Sequence, residues 1–172
     1  IITALKEQLS TRNLMIAHRY ITHAWQSGGD NHIELSHAEF KLRKELGLIP
    51  LSWEANGHQY GLGSEVDGWF KAGLSVVING SREHLSEAID YFGDPLIPVL
   101  LQVSDSQLRQ RMIQQGQKTS NEIEARIMRT RQYAENLSSR CHVVEDSKNQ
   151  AQTVTRLISL IDRLNTTNGI HV

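Results

Sequence analysis

Four short apolar segments constrain the fold more than any other feature of this sequence. They read LMIAH, LSVVIN, LIPVLLQV and CHVVE, at residues 14–18, 74–79, 96–103 and 141–145. Continuous apolar runs of this length are typical of strands that are buried on both faces, whereas a strand with one wet face alternates in polarity. Helical patterns separate them, so we expect an α/β domain in which helices cover both faces of a parallel sheet.

Capping patterns mark the helices. Ser36 and Glu39 form a capping box for a helix over 36–47, where Ala38, Leu42 and Leu46 recur at every fourth position, as is typical of a helix. Thr119 and Glu122 form a second capping box. Further helices are predicted over 1–12, 64–72, 82–91, 104–115, 119–135 and 149–165.

Residues 20–63 break the alternation of strands and helices. They contain one helix and the dipeptide Asn56-Gly57, which is the strongest short hairpin signal. We therefore expect a small α+β insertion at 20–63, and a core domain built from 1–19 and 64–172.

The composition excludes several classes of function. The chain has 172 residues and a formal net charge of −1, so no basic surplus favours nucleic-acid binding. A single cysteine excludes an internal disulfide framework, and no apolar run is long enough for a membrane span. The eight histidines lack metal-ligand spacing, so no metal ligand is predicted. A cytoplasmic protein is expected.

Polar residues follow two of the predicted strands. His18, Arg19 and Tyr20 follow the first, and Asn79, Ser81 and Arg82 follow the second. Ligands of open parallel sheets bind beyond the carboxyl ends of the strands, which predicts a cleft at this edge. A simpler interpretation stays open, in which Asn79-Gly80 is a turn, Ser81 an N-cap and Arg82 a solvated residue.

Arginine is concentrated between residues 108 and 131. A Gly turn at Gly116 separates two helices there, so a mobile pair could bring Arg111, Lys118 and Arg126 around one polyanion. We predict a lid at about 112–122. The alternative is that the arginines of this region are surface residues paired with Glu122, Glu124 and Glu135.

The order of the motifs resembles the guanylate-kinase-like branch of the P-loop kinases. The motifs AHRYIT, NHIELS, LSWEANG, YGLG, VINGSR and LRQRMIQQGQKTSNEIEARI are, within that branch, most similar to the bacterial ribose 1,5-bisphosphate phosphokinases of phosphonate breakdown. The resemblance covers essentially the whole chain. It implies a P-loop kinase-like sheet with a helical lid, an acceptor-binding insertion, and ATP and Mg²⁺ as cofactors. The implied reaction phosphorylates ribose 1,5-bisphosphate to 5-phosphoribosyl 1-diphosphate.

The resemblance also implies roles for individual residues. Arg111, Arg126 and Lys118 would be catalytic. The substrate-binding residues would be Arg19, Tyr60, Asn79, Ser81 and Arg82. The implied partners are small-molecule substrates, neither nucleic acid nor membrane, and a homodimer stays open.

The chain departs from true guanylate kinases at several positions. Their phosphate-binding arginines correspond to His23 and Gln26, and their guanine-reading Glu to about Leu51. Their acidic pair becomes Asn79 and Ser81, which suit sugar hydroxyls better than guanine. A lid Arg usual in the family corresponds to Gln115.

The Gly-rich phosphate loop GxxxxGK[ST] does not occur in the sequence, and we expect it upstream of Ile1. Two alternatives therefore remain open beside the main interpretation. One is a guanylate-type nucleoside monophosphate kinase, and the other is an inactive guanylate-kinase-like binding module.

Overall fold

The computed structural model describes residues 1–8, 13–24, 31–114, 119–137, 139–147 and 149–167. These residues form two compact units. The first unit contains the described residues up to Gly93, and the second contains Asp94–Thr167.

The first unit is built from short strands and four helices. Its strands are β1 (Leu14–Ile16), β2 (Arg19–Ile21), β3 (His32–Glu34), β4 (Leu51–Ala55), β5 (His58–Leu62) and β6 (Ser75–Val77). Its helices are α1 (Ile2–Gln8), α2 (His37–Glu45), α3 (Glu65–Lys71) and α4 (Leu85–Phe92), with a 3₁₀ turn at Arg82–His84. Strands β1 and β6 pair in parallel, and a second sheet has the order β3-β2-β5-β4.

The hairpin predicted at Asn56-Gly57 is confirmed. Strands β4 and β5 pair antiparallel with Ala55 opposite His58, which leaves a two-residue loop. Asn56 and Gly57 have φ angles of 52° and 78°. Positive φ at both loop positions matches the twist of the flanking strands and is the reason for the Asn-Gly preference.

The two faces of the four-stranded sheet pack against different partners. Directly paired residues share a face, so Arg19, Trp53, Tyr60 and Leu62 lie together. On this face a cluster of Ala17, Leu51, Trp53, Leu62 and Val66 packs against residues of β6, α3 and α4. On the opposite face Leu35, Phe40 and Ile49 pack around Tyr20.

The helix predicted over 36–47 is confirmed as α2, but its evenly spaced leucines are not its buried residues. Ser36 does cap the helix, since its Oγ accepts the Glu39 N–H at 3.1 Å. However, Leu42 and Leu46 are exposed at 53% and 65%, whereas Phe40 is buried. Phe40 takes the inner position because its ring packs over Gly61 of β5, where any Cβ would meet Phe40 and Ile49.

The second unit contains one parallel strand pair and three helices. Strands β7 (Val99–Val103) and β8 (His142–Asp146) pair from Val99↔His142 to Val103↔Asp146. Its helices are α5 (Asp105–Gln114), α6 (Ser120–Leu137) and α7 (Gln150–Thr167). Leu108 and Met112 of α5 pack against Ile123 and Ile127 of α6. One hydrogen bond of the second capping box forms, in which Glu122 Oε2 accepts the Thr119 N–H at 2.9 Å.

The alternation of strands and helices is confirmed, although three of the four strands are shorter than predicted. The segment at 14–18 contributes only Leu14–Ile16 to its sheet, and the one at 74–79 only Ser75–Val77. The division into a core and an insertion at 20–63 stays a prediction. No helix in the described ranges is long and apolar enough to cross a membrane.

Candidate functional site

Two neighbouring strand ends form the polar edge of the first unit. Strands β1 and β6 are parallel, and the Ala17 N–H donates to the Val77 carbonyl at 2.9 Å, one residue beyond the ladder. His18 and Asn79 therefore follow adjacent strand ends, as the argument from parallel sheets predicts.

A stack of flat side chains connects Arg19 to the turn after β6. The Arg19 guanidinium carbon lies 5.5 Å from the centroid of the Tyr60 ring. Tyr60 stacks on Trp53, with centroids 5.7 Å apart and planes 8° apart. Trp53 contacts the ring of His84, with centroids 6.4 Å apart. Arg19 is only 9% exposed, and its guanidinium packs against the Tyr60 ring at the edge of the core.

The residues after β6 flank the same cluster. Ile78, the residue before Asn79, packs against the apolar cluster that contains Trp53. Ser81 occupies the N-cap position of the 3₁₀ turn, but its side chain makes no capping hydrogen bond. Arg82 is exposed, and within the described residues neither it nor Asn79 has a side-chain hydrogen bond or ion pair. The simpler interpretation of Ser81 as a side-chain cap is therefore not supported.

Three further residues near this edge were missed by sequence reasoning. Asn31 donates from Nδ2 to the carbonyls of Ile16 and Ala17, at 3.4 and 3.3 Å. Lys6 of α1 donates to Asn31 Oδ1. The Nδ1 atom of His84 is buried without a hydrogen-bond partner in the described residues. No sequence signal predicted the contacts of Asn31 and Lys6, because these contacts join segments that are distant in the chain.

Burial and nearby charges shift the pKa values of two side chains at the start of β2. The pKa of His18 lies below its ordinary value, because burial and the Lys6 charge disfavour the imidazolium more than Glu65 favours it. The pKa of Tyr20 is raised by burial and by the neighbouring Glu65 carboxylate. Tyr20 also lies beneath Arg43, whose guanidinium carbon is 5.2 Å from its ring centroid.

His23 contacts a second histidine, His58, at one end of the four-stranded sheet. Its ring contacts that of His58 edge to face, with centroids 4.4 Å apart. His58 Nδ1 lies 3.2 Å from the Thr22 carbonyl, so it is the proton-bearing nitrogen of that contact. Gln26, the other position that differs from guanylate kinases, lies outside the described residues.

Arg111 of the second unit is bonded to a buried carboxylate. Its Nη2 donates to Asp146 Oδ2 at 2.9 Å. Asp146 is the last residue of β8, and its Oδ1 accepts from Thr153 Oγ1 at 2.9 Å. The predicted strand ended at Glu145, so Asp146 was missed, although the rule that selected Asn79 would have selected it.

The remaining arginines of this region fall into two groups. Arg109 pairs with Glu124, and Arg131 pairs with Asp105. These contacts lower the pKa of Glu124 and Asp105 through charge-assisted hydrogen bonds. Arg126 and Arg129 are exposed on α6 and have no ion pair within the described ranges. Lys118 and Gln115 lie outside the described residues.

The part of the chain that the structure describes contains no group of three or more His, Cys, Asp or Glu side chains able to hold a metal ion.

Comparison with known proteins decides the family. A scan against models of protein families gives no match. The chain is 42% identical over 161 residues to the ribose 1,5-bisphosphate phosphokinase PhnN of Dickeya zeae, covering 94% of this chain and 85% of that protein. It is 49% identical over 118 residues to the enzyme of that name from Desulfomicrobium baculatum, covering 69% of this chain and 63% of the relative.

The chain belongs to the ribose 1,5-bisphosphate phosphokinase family. The resemblance seen in the motifs is thereby confirmed, as is the assignment to a family of phosphotransferases. Solved structures agree on the fold. The crystal structure of guanylate kinase from Anaplasma phagocytophilum matches with a TM-score of 0.72 at 14% identity, covering 93% of this chain and 79% of that one. This phosphokinase therefore has a guanylate-kinase-like α/β fold, as expected.

Proposed function

We propose that this chain transfers the γ-phosphoryl group of ATP to ribose 1,5-bisphosphate and produces 5-phosphoribosyl 1-diphosphate. The family supports the reaction, since relatives that carry this name cover most of the chain. One observation supports the acceptor site. The buried guanidinium of Arg19 lies over Tyr60, on the same sheet face against which Ile78 packs.

Five residues of the first unit would bind the acceptor. Guanidinium groups bind phosphate oxygens through paired N–H donors, so Arg19 and Arg82 would hold the sugar phosphates. Asn79 and Ser81 can donate and accept, which suits the ribose hydroxyls. Tyr60 would support Arg19 through its ring and reach a phosphate through its hydroxyl.

The transfer needs little acid–base help from the protein. An oxygen of the 1-phosphate attacks the γ-phosphorus, a new P–O bond forms, and the bond between the γ-phosphorus and the β–γ bridging oxygen breaks. ADP leaves with that electron pair. A phosphate acceptor is already largely ionised near neutral pH, so positioning and charge neutralisation would carry catalysis.

Three cationic residues would meet the charge on the phosphoryl oxygens, namely Arg111, Arg126 and Lys118. Arg126 suits this role because it is exposed and has no ion pair among the described residues. Mg²⁺ would arrive with ATP, since this ion is commonly held by substrate phosphates and one or two carboxylates. It would neutralise phosphate charge, and we assign it no ligand in this chain.

A coupled assay tests the proposal. The full-length protein, with any residues that precede Ile1, is incubated with ATP, Mg²⁺ and either ribose 1,5-bisphosphate or GMP. We expect 5-phosphoribosyl 1-diphosphate from the first acceptor and no turnover of GMP, because apolar Leu51 is buried in the core cluster. Turnover of GMP alone would assign a nucleoside monophosphate kinase. Turnover of neither acceptor, with no binding of ATP by calorimetry, would favour a binding module.

The proposal includes a cytoplasmic location, where ATP is available, and small-molecule substrates as the main partners. A homodimer stays open, and sedimentation of the full-length protein tests it.

A further inference from the structure

The carboxyl edge of the parallel pair β7–β8 gathers an unusual share of buried polar side chains. Among the described residues the buried polar or charged ones are Arg19, Gln107, Asp146 and Thr153. Three of these belong to the second unit. Buried polar groups need partners, so such a cluster fixes geometry more tightly than an apolar core does.

Asp146 lies at the centre of this cluster, and both its oxygens are occupied. Oδ1 accepts from Thr153 Oγ1 at 2.9 Å, and Oδ2 accepts from Arg111 Nη2 at 2.9 Å. Thr153 Oγ1 in turn accepts the Ser147 N–H at 3.0 Å. The carboxylate plane is therefore fixed by the start of α7 and by the backbone that follows β8.

Arg111 differs from its partner in exposure. The Asp146 side chain is 4% exposed, whereas that of Arg111 is 48% exposed. A guanidinium has five N–H donors in a rigid fork, and the bond to Asp146 uses one edge of that fork. The carboxylate therefore orients the guanidinium while other donors still face solvent.

The position of this pair in the sheet matches a ligand-binding edge. Asp146 is the last residue of the register and lies opposite Val103, which is followed by Ser104 and α5. One turn before Arg111 on α5, Gln107 Oε1 accepts from Ser104 Oγ at 2.9 Å. Gln107 and Arg111 therefore share the helix face that turns toward the carboxyl ends of the strands, where parallel sheets bind ligands.

We propose that Asp146, itself fixed by Thr153, is a positioning residue that holds the Arg111 guanidinium in the orientation that contacts phosphoryl oxygens during transfer. This inference depends on the proposed role of Arg111. Asp146 does not touch substrate, and it acts by limiting the orientations of a side chain that would otherwise sample many rotamers.

A double-mutant cycle tests it. Asp146→Asn keeps the shape and loses the charge, and Arg111→Ala removes the positioned group. We expect Asp146→Asn to lower kcat about 10-fold, as loss of one oriented charged contact does. In the Arg111→Ala background the same change should alter kcat less than about 2-fold, because the group it positions is already gone. Equal losses in both backgrounds would overturn the proposal and leave a purely structural ion pair.

Two controls complete the design. Asp105→Asn breaks the Asp105–Arg131 pair, another Asp–Arg pair of this unit, and kcat should stay within about 2-fold. A loss as large as that of Asp146→Asn would contradict a specific role for Asp146.

If Asp146→Asn does not fold, the variants Thr153→Val and Thr153→Ser are measured in its place. Valine removes the hydroxyl bonded to Asp146 and should lower kcat, whereas serine should restore it, and no difference between the two would refute the proposal.

The experiment separates this inference from the proposed reaction. If the wild-type protein does not phosphorylate ribose 1,5-bisphosphate, the proposed function fails, and the same cycle is then measured as ATP affinity by calorimetry. Coupling between Asp146→Asn and Arg111→Ala in that affinity would still support positioning. Additive effects on affinity, or an Arg111→Ala variant indistinguishable from wild type, would overturn it.

Discussion

The two parallel strand pairs of this phosphokinase hold an arginine at their carboxyl edge in different ways. After β1, the guanidinium of Arg19 lies over an aromatic ring that is itself stacked on Trp53. At the end of β8, the buried carboxylate of Asp146 accepts a hydrogen bond from the guanidinium of Arg111. Both edges present an arginine, one in contact with an aromatic ring and the other bonded to a buried carboxylate.

The two arginines should therefore respond to different kinds of substitution. The aromatic contact of Arg19 depends on the register of three strands. The carboxylate contact of Arg111 fixes the orientation of the guanidinium but offsets part of its charge. We infer that the first arrangement suits binding of an acceptor phosphate, and that the second suits orientation of an arginine that must meet a transient charge.

Substitution of Arg126, which has no ion pair among the described residues, should have the largest effect. Arg126→Ala is expected to lower kcat about 10³-fold with little change in the KM for the acceptor, as for other arginines that stabilise phosphoryl transfer. Steady-state kinetics measure this. Arg129→Ala, one turn later on α6 and also without an ion pair in the described residues, is the matched control. Equal losses from both substitutions would mean that α6 contributes only general positive charge.

A substitution of Gly61 in β5 tests how tightly α2 packs against the four-stranded sheet of the first unit. Gly61→Ala places a Cβ against Phe40 and Ile49, so we expect the free energy of unfolding to fall by about 2 kcal/mol. Gly68→Ala on exposed α3, where a Cβ meets nothing within 4 Å, should instead raise it by about 0.5–1 kcal/mol. Urea denaturation compares them. Unchanged stability in Gly61→Ala would show that α2 can shift away from the sheet without cost.

Substitution of Arg19 is expected to weaken binding of the acceptor and not of ATP. Arg19→Lys should weaken ribose 1,5-bisphosphate binding about 10-fold, because an ammonium neither stacks on Tyr60 nor binds phosphate through two donors. Arg43→Lys is a close control, since Arg43 lies over Tyr20 in the same geometry on the opposite face of the sheet. Calorimetry should show no loss for Arg43→Lys. Equal losses would remove the acceptor site from the Arg19 face.

Local signals in the sequence predicted most of the elements. The hairpin at Asn56-Gly57 and both capping boxes depend on residues within four positions of each other, and the structure contains the hairpin and one hydrogen bond of each capping box. The buried face of α2 could not be predicted in this way. The spacing of Leu42 and Leu46 indicated a helix, but the buried position is occupied by Phe40 because Gly61, distant in sequence, leaves room for its ring.

The candidate site was predicted only in part for the same reason. Arg19 and Asn79 were accessible to sequence reasoning because each follows an apolar strand. The stack of Tyr60, Trp53 and His84 depends on the register of β4 with β5 and on the turn after β6. Nothing in the sequence indicated that Trp53, a core residue, would stack on Tyr60.

The smallest expected effect is a difference in acid sensitivity between the two edges. The pKa of His18 lies below its ordinary value of 6.5, so near that pH the unfolded chain binds more protons than the folded one. Stability of the first unit should therefore rise as pH increases toward 6.5, and His18→Gln should flatten this rise. Lys6 and Glu65 shift the pKa of this imidazole in opposite directions, which keeps the pH dependence of stability small.

In the second unit, the pKa values of Asp105 and Glu124 are lowered by Arg131 and Arg109. The stability that these ion pairs contribute is therefore present above about pH 4 and is lost only below it. Hydrogen exchange of amides in β1 and β8 between pH 4.5 and 7 measures both units in one sample. Equal pH dependence of protection in the two strands, or a slope that survives in His18→Gln, would show that the tip of β1 does not sense pH through this imidazole.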